Sequence, residues 1–156
     1  MPFRDTAWPG PKTFISEQNA YSLETAKNWL DRGGDINVTS FSKQGHTLLM
    51  MACLRDQADL VAELLSRPGV NINLKVNGKT ALHHAATMGN DQCAQLLLDA
   101  GADRHIRVDI DDSEFTENDG LTALEIVDNL IAREGMKPRQ QRLQRMLSGG
   151  YLGMSR

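Results

Sequence analysis

Apolar residues recur in this chain at the spacing of one helix face. They do so in two segments, at Leu60, Val61, Leu64 and Leu65 in the first and at Cys93, Leu96 and Leu97 in the second. Each segment follows a denser run of small or apolar residues, Leu48–Leu54 and Ala81–Ala86. Spacings of three and four residues are typical of an α-helix that is packed on one side. The pattern therefore predicts pairs of short helices and an all-α fold.

The helix pairs belong to a repeat with a period of 33 residues. Gly45–Cys53 aligns with Gly78–Ala86, and its Gly, Thr, Leu and Ala all recur 33 residues later. A third copy begins at Gly120, 42 residues after Gly78, which is the same period with nine residues added. Upstream, Trp29–Asn37 has the sequence of a unit's end. We therefore divide most of the chain into four units, of which the first and the last are atypical.

Each unit carries its own start and stop signals. Thr47 and Thr80 stand before the first helices, where a side-chain oxygen can cap the unpaired amides. The turn-forming pairs Asp56-Gln57 and Gly89-Asn90 end these helices. One such unit cannot bury both of its helices alone, so the units must stack on one another.

These features resemble the ankyrin-repeat family, whose unit begins its first helix with T-P-L-H-x-A. The best match is Thr80–Ala86, followed by Gly89, Leu97-Leu98 and Gly101–Asp103, with Ala81 in place of the family's Pro. The second unit departs further, with Leu48 for Pro, Met50 for His, Asp56 for the mid-unit Gly, and an extra Pro68 that indicates a lengthened second helix. Over about residues 20 to 147, the resemblance implies an ankyrin-repeat helical solenoid of about four repeats, with capping units at both ends.

The domain organisation follows from the repeat. We predict a Pro-rich N-terminal extension (1–14), a repeat domain (15–148) and a C-terminal tail (149–156). The predicted units are 15–41, 42–74, 75–108 and 117–148, with an acidic insertion at 109–117. The first unit keeps a second helix at Leu23–Asp31. The last unit has a helix from Ala123 to about Glu134, a stop at Gly135 and a helix that restarts at Pro138.

Two charged segments depart from the repeat. The insertion begins Asp109-x-Asp111 like a calcium loop, but Ser113 and Glu114 break that pattern and its glycine is missing, which favours a solvated acidic turn. Arg139, Arg142 and Arg145 share one face of the last helix. That face is either a solvated cap, which we favour, or a docking patch for an acidic partner.

Composition limits the classes of function. A net charge of −3 over 156 residues gives no basis for nucleic-acid binding. The longest apolar stretch, Leu48–Leu54, is far shorter than the roughly 18 residues of a membrane span. The N-terminus lacks a signal sequence, so we expect an intracellular, cytoplasmic and monomeric protein. Cys53 and Cys93 both lie in apolar helical segments, which predicts buried, reduced thiols.

No motif predicts catalysis, a metal or a cofactor. His83 and His84 are adjacent and point about 100° apart on a helix, so they cannot chelate one ion together. A pairing in space of Cys53 or Cys93 with His84 stays open, although a buried thiol is inert. The resemblance implies a structural role for His83, which would tie neighbouring loops by hydrogen bonds, and we expect His84 to pack within the stack.

The resemblance also implies where a partner would bind. Helical solenoids present a concave face built from first helices and turn tips. The family's variable positions fall here on Lys43, Gln44, His46, Leu54, Arg55, Val76, Asn77, Lys79, Thr87, Met88, Asn118, Asp119 and Leu121. This mixture of apolar and charged residues is typical of a protein interface. Alternatively, Leu54 and Met88 pack against the neighbouring unit.

We therefore expect a non-enzymatic interaction module that binds a protein partner of unknown identity through this face, without nucleic acid or membrane. A small inhibitor or immunity-type protein that neutralises a partner enzyme is one alternative, because the chain carries no recognisable effector domain. An enzyme with an unrecognised site between the acidic insertion and the basic C-terminal helix is the other.

Overall fold

A computed structural model describes residues 23–39, 44–109 and 116–149. Within these ranges the regular structure is seven α-helices and no strand longer than an isolated bridge. The helices are α1 (Leu23–Asp31), α2 (Leu48–Leu54), α3 (Ala58–Ser66), α4 (Ala81–Met88), α5 (Asp91–Asp99), α6 (Ala123–Glu134) and α7 (Pro138–Leu147). The all-α solenoid predicted from the repeat is confirmed. The N-terminal extension, residues 15–22 of the first unit and residues 150–156 of the C-terminal tail lie outside the described residues.

The helices form two layers. Helices α2, α4 and α6 pack side by side in one layer, and α3, α5 and α7 follow in the other, with α1 against α3. The apolar faces meet between the layers, where Leu64, Leu97 and Leu143 are fully buried. Because each buried side chain is covered partly by the next unit, the core runs through the whole stack as one cluster. None of the described helices is long and apolar enough to cross a membrane.

The predicted N-caps set the starts of the first-layer helices. Thr47 Oγ1 accepts a hydrogen bond from the Met50 amide at 3.3 Å. Thr122 forms a reciprocal box with Glu125, whose carboxylate accepts from the Thr122 amide at 2.7 Å. These contacts pair amides that a helix leaves without internal partners, and they fix where α2 and α6 begin.

The first-layer helices end in left-handed turns. Gly89 has φ 72° after α4, and Asp56 has φ 56° at the corresponding turn after α2.

The prediction that Pro68 lengthens the second helix of its unit is wrong, since α3 and α5 are both nine residues long. Arg67 is instead extended (φ −92°, ψ 144°), as sterics require of a residue that precedes proline, and the extra residue lies in the loop.

Asparagine side chains tie successive units together at the loops. Asn37 donates through Nδ2 to the Gly69 carbonyl and accepts from the Asn71 amide, both at 2.8 Å. One unit later, Asn73 Oδ1 accepts from the Asp103 amide at 2.9 Å. These bonds satisfy loop backbone groups across a unit boundary and hold the spacing between units.

Trp29 provides a test of the packing in the first unit. This side chain is fully buried, and the Gly34 amide donates to its carbonyl at 3.1 Å. A β-carbon on Gly34 would lie 2.3 Å from the indole ring. Gly34→Ala should therefore lower the free energy of unfolding by about 2 kcal/mol through overpacking, as measured by urea denaturation. The exposed Asn28→Ala is the control and should change it by less than about 0.5 kcal/mol. Equal stability of Gly34→Ala and wild type would contradict this packing.

Candidate functional site

The solvent side of the α2, α4 and α6 layer, with the hairpin tips beside it, forms the candidate site, which we call the inner face. Its residues fall into rows because Thr47, Thr80 and Thr122 cap the three helices at equivalent places. The position before the cap is His46, Lys79 and Leu121 in the three units. The position seven residues after the cap holds Leu54, Thr87 and Asn129. The position eight residues after the cap holds Arg55, Met88 and Leu130.

The residues predicted to contact a partner differ in exposure. Exposed are Gln44, Arg55, Asn77, Thr87 and Met88. Half-buried are Leu54, Val76, Lys79, Asp119 and Leu121. His46 and Asn118 are buried, at 8% and 9% exposure, and Lys43 lies outside the described residues. Contact of any of these residues with a partner stays a prediction.

The hairpin tips are tied to one another. Val76 and Lys79 exchange backbone hydrogen bonds at 2.9 and 3.1 Å, which closes the tip of the third unit. Asn77 stands there at φ 49° and donates through Nδ2 to the Gln44 carbonyl of the preceding tip at 2.6 Å. In the last unit the Asp119 carboxylate accepts from the Thr116 amide at 3.0 Å. The tips therefore form a connected, ordered edge of the inner face.

His46 and His84 form a buried pair beneath this face. Their rings meet edge to face with centroids 4.8 Å apart. Burial, with the nearby His46 and Lys79, lowers the pKa of His84 to about 3. Burial and Lys79 also lower the pKa of His46. In the described part of the chain, His84 Nε2 has no hydrogen-bond partner.

As expected, His84 packs within the stack. His46 differs from the exposed tip position that the sequence indicated, because the ring turns inward onto the next unit. No local signal in the sequence reveals this, since the two residues belong to different units.

His83 has the structural role that the resemblance implied. Its Nδ1 accepts from the Thr80 amide at 3.0 Å, so the other nitrogen, Nε2, carries the proton and donates to the Ile106 carbonyl at 2.9 Å. The ring thereby joins the start of α4 to the following loop. Burial lowers the pKa of His83 and favours this neutral form.

The two cysteines are free and buried, as predicted. A hydrogen bond to Cys93, together with burial, raises the pKa of the Cys53 thiol. The Cys93 thiol donates to Asp56 Oδ1 at 3.8 Å. A thiol that holds its proton is a poor nucleophile. Within the described ranges, no three His, Cys, Asp or Glu side chains group in a way that could hold a metal ion.

The basic face of α7 is partly occupied by the chain itself. Arg142 Nε lies 2.5 Å from Asp91 Oδ2, and Arg139 reaches Asp56 at 3.0 Å and Asp91 at 3.8 Å. Asp91 is buried at the start of α5, while Asp56 lies in the turn after α2. Two of the three arginines therefore hold α7 to the second and third units, which argues against the docking patch. Sequence reasoning missed these pairs because the partners are distant in the chain.

The described ends of the acidic insertion form ion pairs with residues outside α7. Asp109 accepts from Lys75 at 2.5 Å, and Glu117 accepts from Arg133 of α6 at 2.8 Å. Asp111 and the rest of 110–115 lie outside the described residues. The described ends of the insertion thus pair with Lys75 and with Arg133 of α6, whereas Arg139 and Arg142 of α7 pair with Asp56 and Asp91.

A groove of about 570 Å³ opens at the end of the inner face away from the hairpin tips. Met88, Leu130 and Pro138 supply its apolar wall, and Lys137 and Arg139 lie on its rim. Met88 is 53% exposed there, so it is available to a partner instead of being covered by the neighbouring unit. Thr87 and Met88 were predicted for the site. The wall from the α6–α7 connection was missed, because it reaches the groove only through the fold.

Comparison with known proteins agrees with this architecture. Residues 14–108, more than half of the chain, match a family model described as ankyrin repeats in three copies. SMC5-SMC6 complex localization factor protein 1 of Bos taurus is 40% identical over 110 residues, or 70% of this chain and 9% of that protein. Protein phosphatase 1 regulatory subunit 12A of Mus musculus is 29% identical over 116 residues, or 74% of this chain and 10% of that protein.

Another relative is the probable E3 ubiquitin-protein ligase XBOS31 of Oryza sativa subsp. japonica. It is 40% identical over 82 residues, which are 51% of this chain and 18% of that protein. The chain therefore spans less than a fifth of each of these three relatives.

The buried histidines predict acid sensitivity. In the folded chain the pKa of His84 is about 3, whereas in the unfolded chain it is near 6.5, so only the unfolded state binds this proton between those values. The stability that the neutral ring supplies is complete above pH 6.5 and falls by about 1.4 kcal/mol per pH unit below it. His84→Met, which places a thioether where the second unit has Met51, should reduce the loss of unfolding free energy between pH 7 and pH 5 by about 2 kcal/mol.

Urea denaturation at both pH values measures this difference. His105→Met, on an exposed loop, is the matched control and should leave the loss at its wild-type size. An unchanged loss in His84→Met would show that this ring does not carry the acid sensitivity.

The Asp91–Arg142 pair should contribute measurably to stability. A double-mutant cycle with Asp91→Ala and Arg142→Ala should give a coupling of about 1 kcal/mol, because one partner is buried. The exposed Glu134–Lys137 pair, whose charged atoms are 2.8 Å apart, should give a clearly smaller coupling in the same assay. Equal couplings for the two pairs would mean that burial of Asp91 adds nothing.

Proposed function

The chain belongs to the ankyrin-repeat family, and we propose that it is a non-enzymatic module that binds one protein partner through its inner face and hairpin tips. The observation that carries this proposal is the groove beside Met88. A concave site with an apolar wall and charged groups on its rim is the kind of surface that binds another molecule. The tip residues held in order by the Asn77 bond to Gln44 would supply the polar rim of the interface.

The relatives support the same class of function. One is named as a localization factor for a protein complex, and another as a regulatory subunit of a phosphatase. The similarity to the probable ubiquitin ligase covers 18% of that protein, so its named activity adds no argument for catalysis here. We further propose that the chain acts as a cytoplasmic monomer without nucleic acid or membrane, in keeping with its net charge of −3.

The name of the phosphatase subunit favours one specific version, in which binding changes the partner's activity. In that version the chain would act as a small inhibitor of an enzyme, by covering part of its surface. A captured partner with a measurable activity would distinguish the two versions, since plain tethering leaves that activity unchanged.

Affinity capture from a lysate of the source organism tests the proposal. The double variant Met88→Glu/Arg55→Glu places two carboxylates in one row of the inner face and should reduce the recovered partner at least about tenfold, because an interface centre tolerates buried charge poorly. Ala62→Glu, which changes an exposed apolar residue on α3 of the other layer, is the control and should capture normally. Full capture by the double variant would refute the inner face as the binding surface.

A further inference from the structure

Three rows of residues on the inner face carry a charge opposite to that of the whole chain. The three rows are the positions one residue before the cap, seven residues after it and eight residues after it. Together they hold nine described residues. Lys79 and Arg55 are the charged residues among them, and none of the nine is Asp or Glu. The chain as a whole has a net charge of −3. The positive charge of this surface is therefore a local feature, and it favours a partner of negative charge.

Carboxylates on α6 are engaged away from these rows. Glu125 pairs with Arg107 at 2.9 Å, and Asp128 accepts from Gln144 of α7 at 2.7 Å. Glu134 lines the groove, but it pairs with Lys137 at 2.8 Å. On the rim, Arg139 is shared between Asp56 and Asp91. Among the described residues of the three rows, Lys79 is therefore a cation with which none of these carboxylates pairs.

Lys79 stands directly before the Thr80 cap of α4, in the first row of the inner face, and the residue is half-buried. No carboxylate in the described ranges lies within salt-bridge distance of its amine. A half-buried ammonium without a counter-ion gains more from an incoming carboxylate than a fully solvated one does.

The groove requires an apolar group from the same partner. Met88 and Met136, at 53% and 55%, are the large hydrophobic side chains of the described residues that are more than half exposed. Met88 faces Leu130 and Pro138 across the groove of about 570 Å³, which is large enough for one aromatic or leucine side chain with part of its backbone. Methionine adapts its shape to such a guest at little cost.

We propose that the partner presents an acidic segment with one large apolar side chain, and that this side chain enters the groove at Met88 while a carboxylate meets Lys79. The proposal rests on the proposed function and specifies its chemistry. Met88 lies seven residues after the first residue of α4 and Lys79 lies two residues before it, which corresponds to about 10 Å of helix and up to about 6 Å of extended chain. An extended partner segment spans that distance in about four residues. We therefore expect the partner to carry Asp or Glu about four positions from the apolar side chain that enters the groove, and a second acidic residue that meets Arg55.

Selection from a displayed library of random peptides of about 16 residues tests this chemistry without knowledge of the natural partner. The wild-type chain should enrich peptides that combine Trp, Phe or Leu with Asp or Glu about four positions away. Resynthesised peptides should bind Met88→Glu and Lys79→Glu at least about tenfold more weakly, and higher salt should weaken their binding to the wild type. Ala62→Glu on α3 and Lys27→Glu on α1, both in the other layer, should bind them as the wild type does.

Three results would overturn the proposal: enriched peptides without acidic residues, binding that survives both Met88→Glu and Lys79→Glu, or equal loss in the two control variants. Thermal unfolding of every variant verifies that it is folded. Enriched neutral peptides that still depend on Met88 would reject the acidic chemistry and leave the proposed function intact. Failure of the proposed function itself shows separately, as full capture of the natural partner by the Met88→Glu/Arg55→Glu variant.

Discussion

The structure depends on one constraint, which is that a pair of short helices cannot bury its apolar surface without a neighbouring pair. Leu64, Leu97 and Ile126 are essentially fully buried, yet each belongs to a different unit, and all three join one apolar cluster that crosses the unit boundaries. The small residues of α4 let the neighbouring helices approach closely enough for this to happen. Because the stack buries the apolar surface between its layers, the solvent side of the α2, α4 and α6 layer is released from packing and can vary in sequence.

The fold was largely predictable, because its signals are local. Apolar spacing indicated the bounds of α1, Gly135 the end of α6 and Pro138 the start of α7, and Thr47 caps α2 as its position indicated. Pro68 was misread, since the steric effect of proline on the residue before it stops α3 instead of extending it. The repeat register compensated for weak motif matches in the second unit.

The site was predictable only in part, for a physical reason. The exposed residues at Thr87 and Met88 follow from the register, which is a property of one unit. The contact of His46 with His84, the pairing of Arg139 with Asp56, and the Leu130 and Pro138 wall of the groove each join residues from different units. Such contacts depend on the rise and rotation between units, which no sequence period specifies. The sequence register therefore predicts which residues of the inner face are exposed, whereas the contacts between units arise only when the units stack.

The ion pair between Arg139 and Asp56 affects how unfolding spreads along the array of units. A repeat protein is usually treated as a one-dimensional row in which each unit senses only its immediate neighbours, so that unfolding can begin at an end and stop at any boundary. Here a side chain of the last helix passes the third unit and reaches the second. Fraying of α7 would consequently release a carboxylate two units away, next to the Asp91 turn that bounds the groove. The last helix and the second unit are thus connected by a side-chain contact beside the proposed binding surface, so fraying of the one exposes a charge of the other.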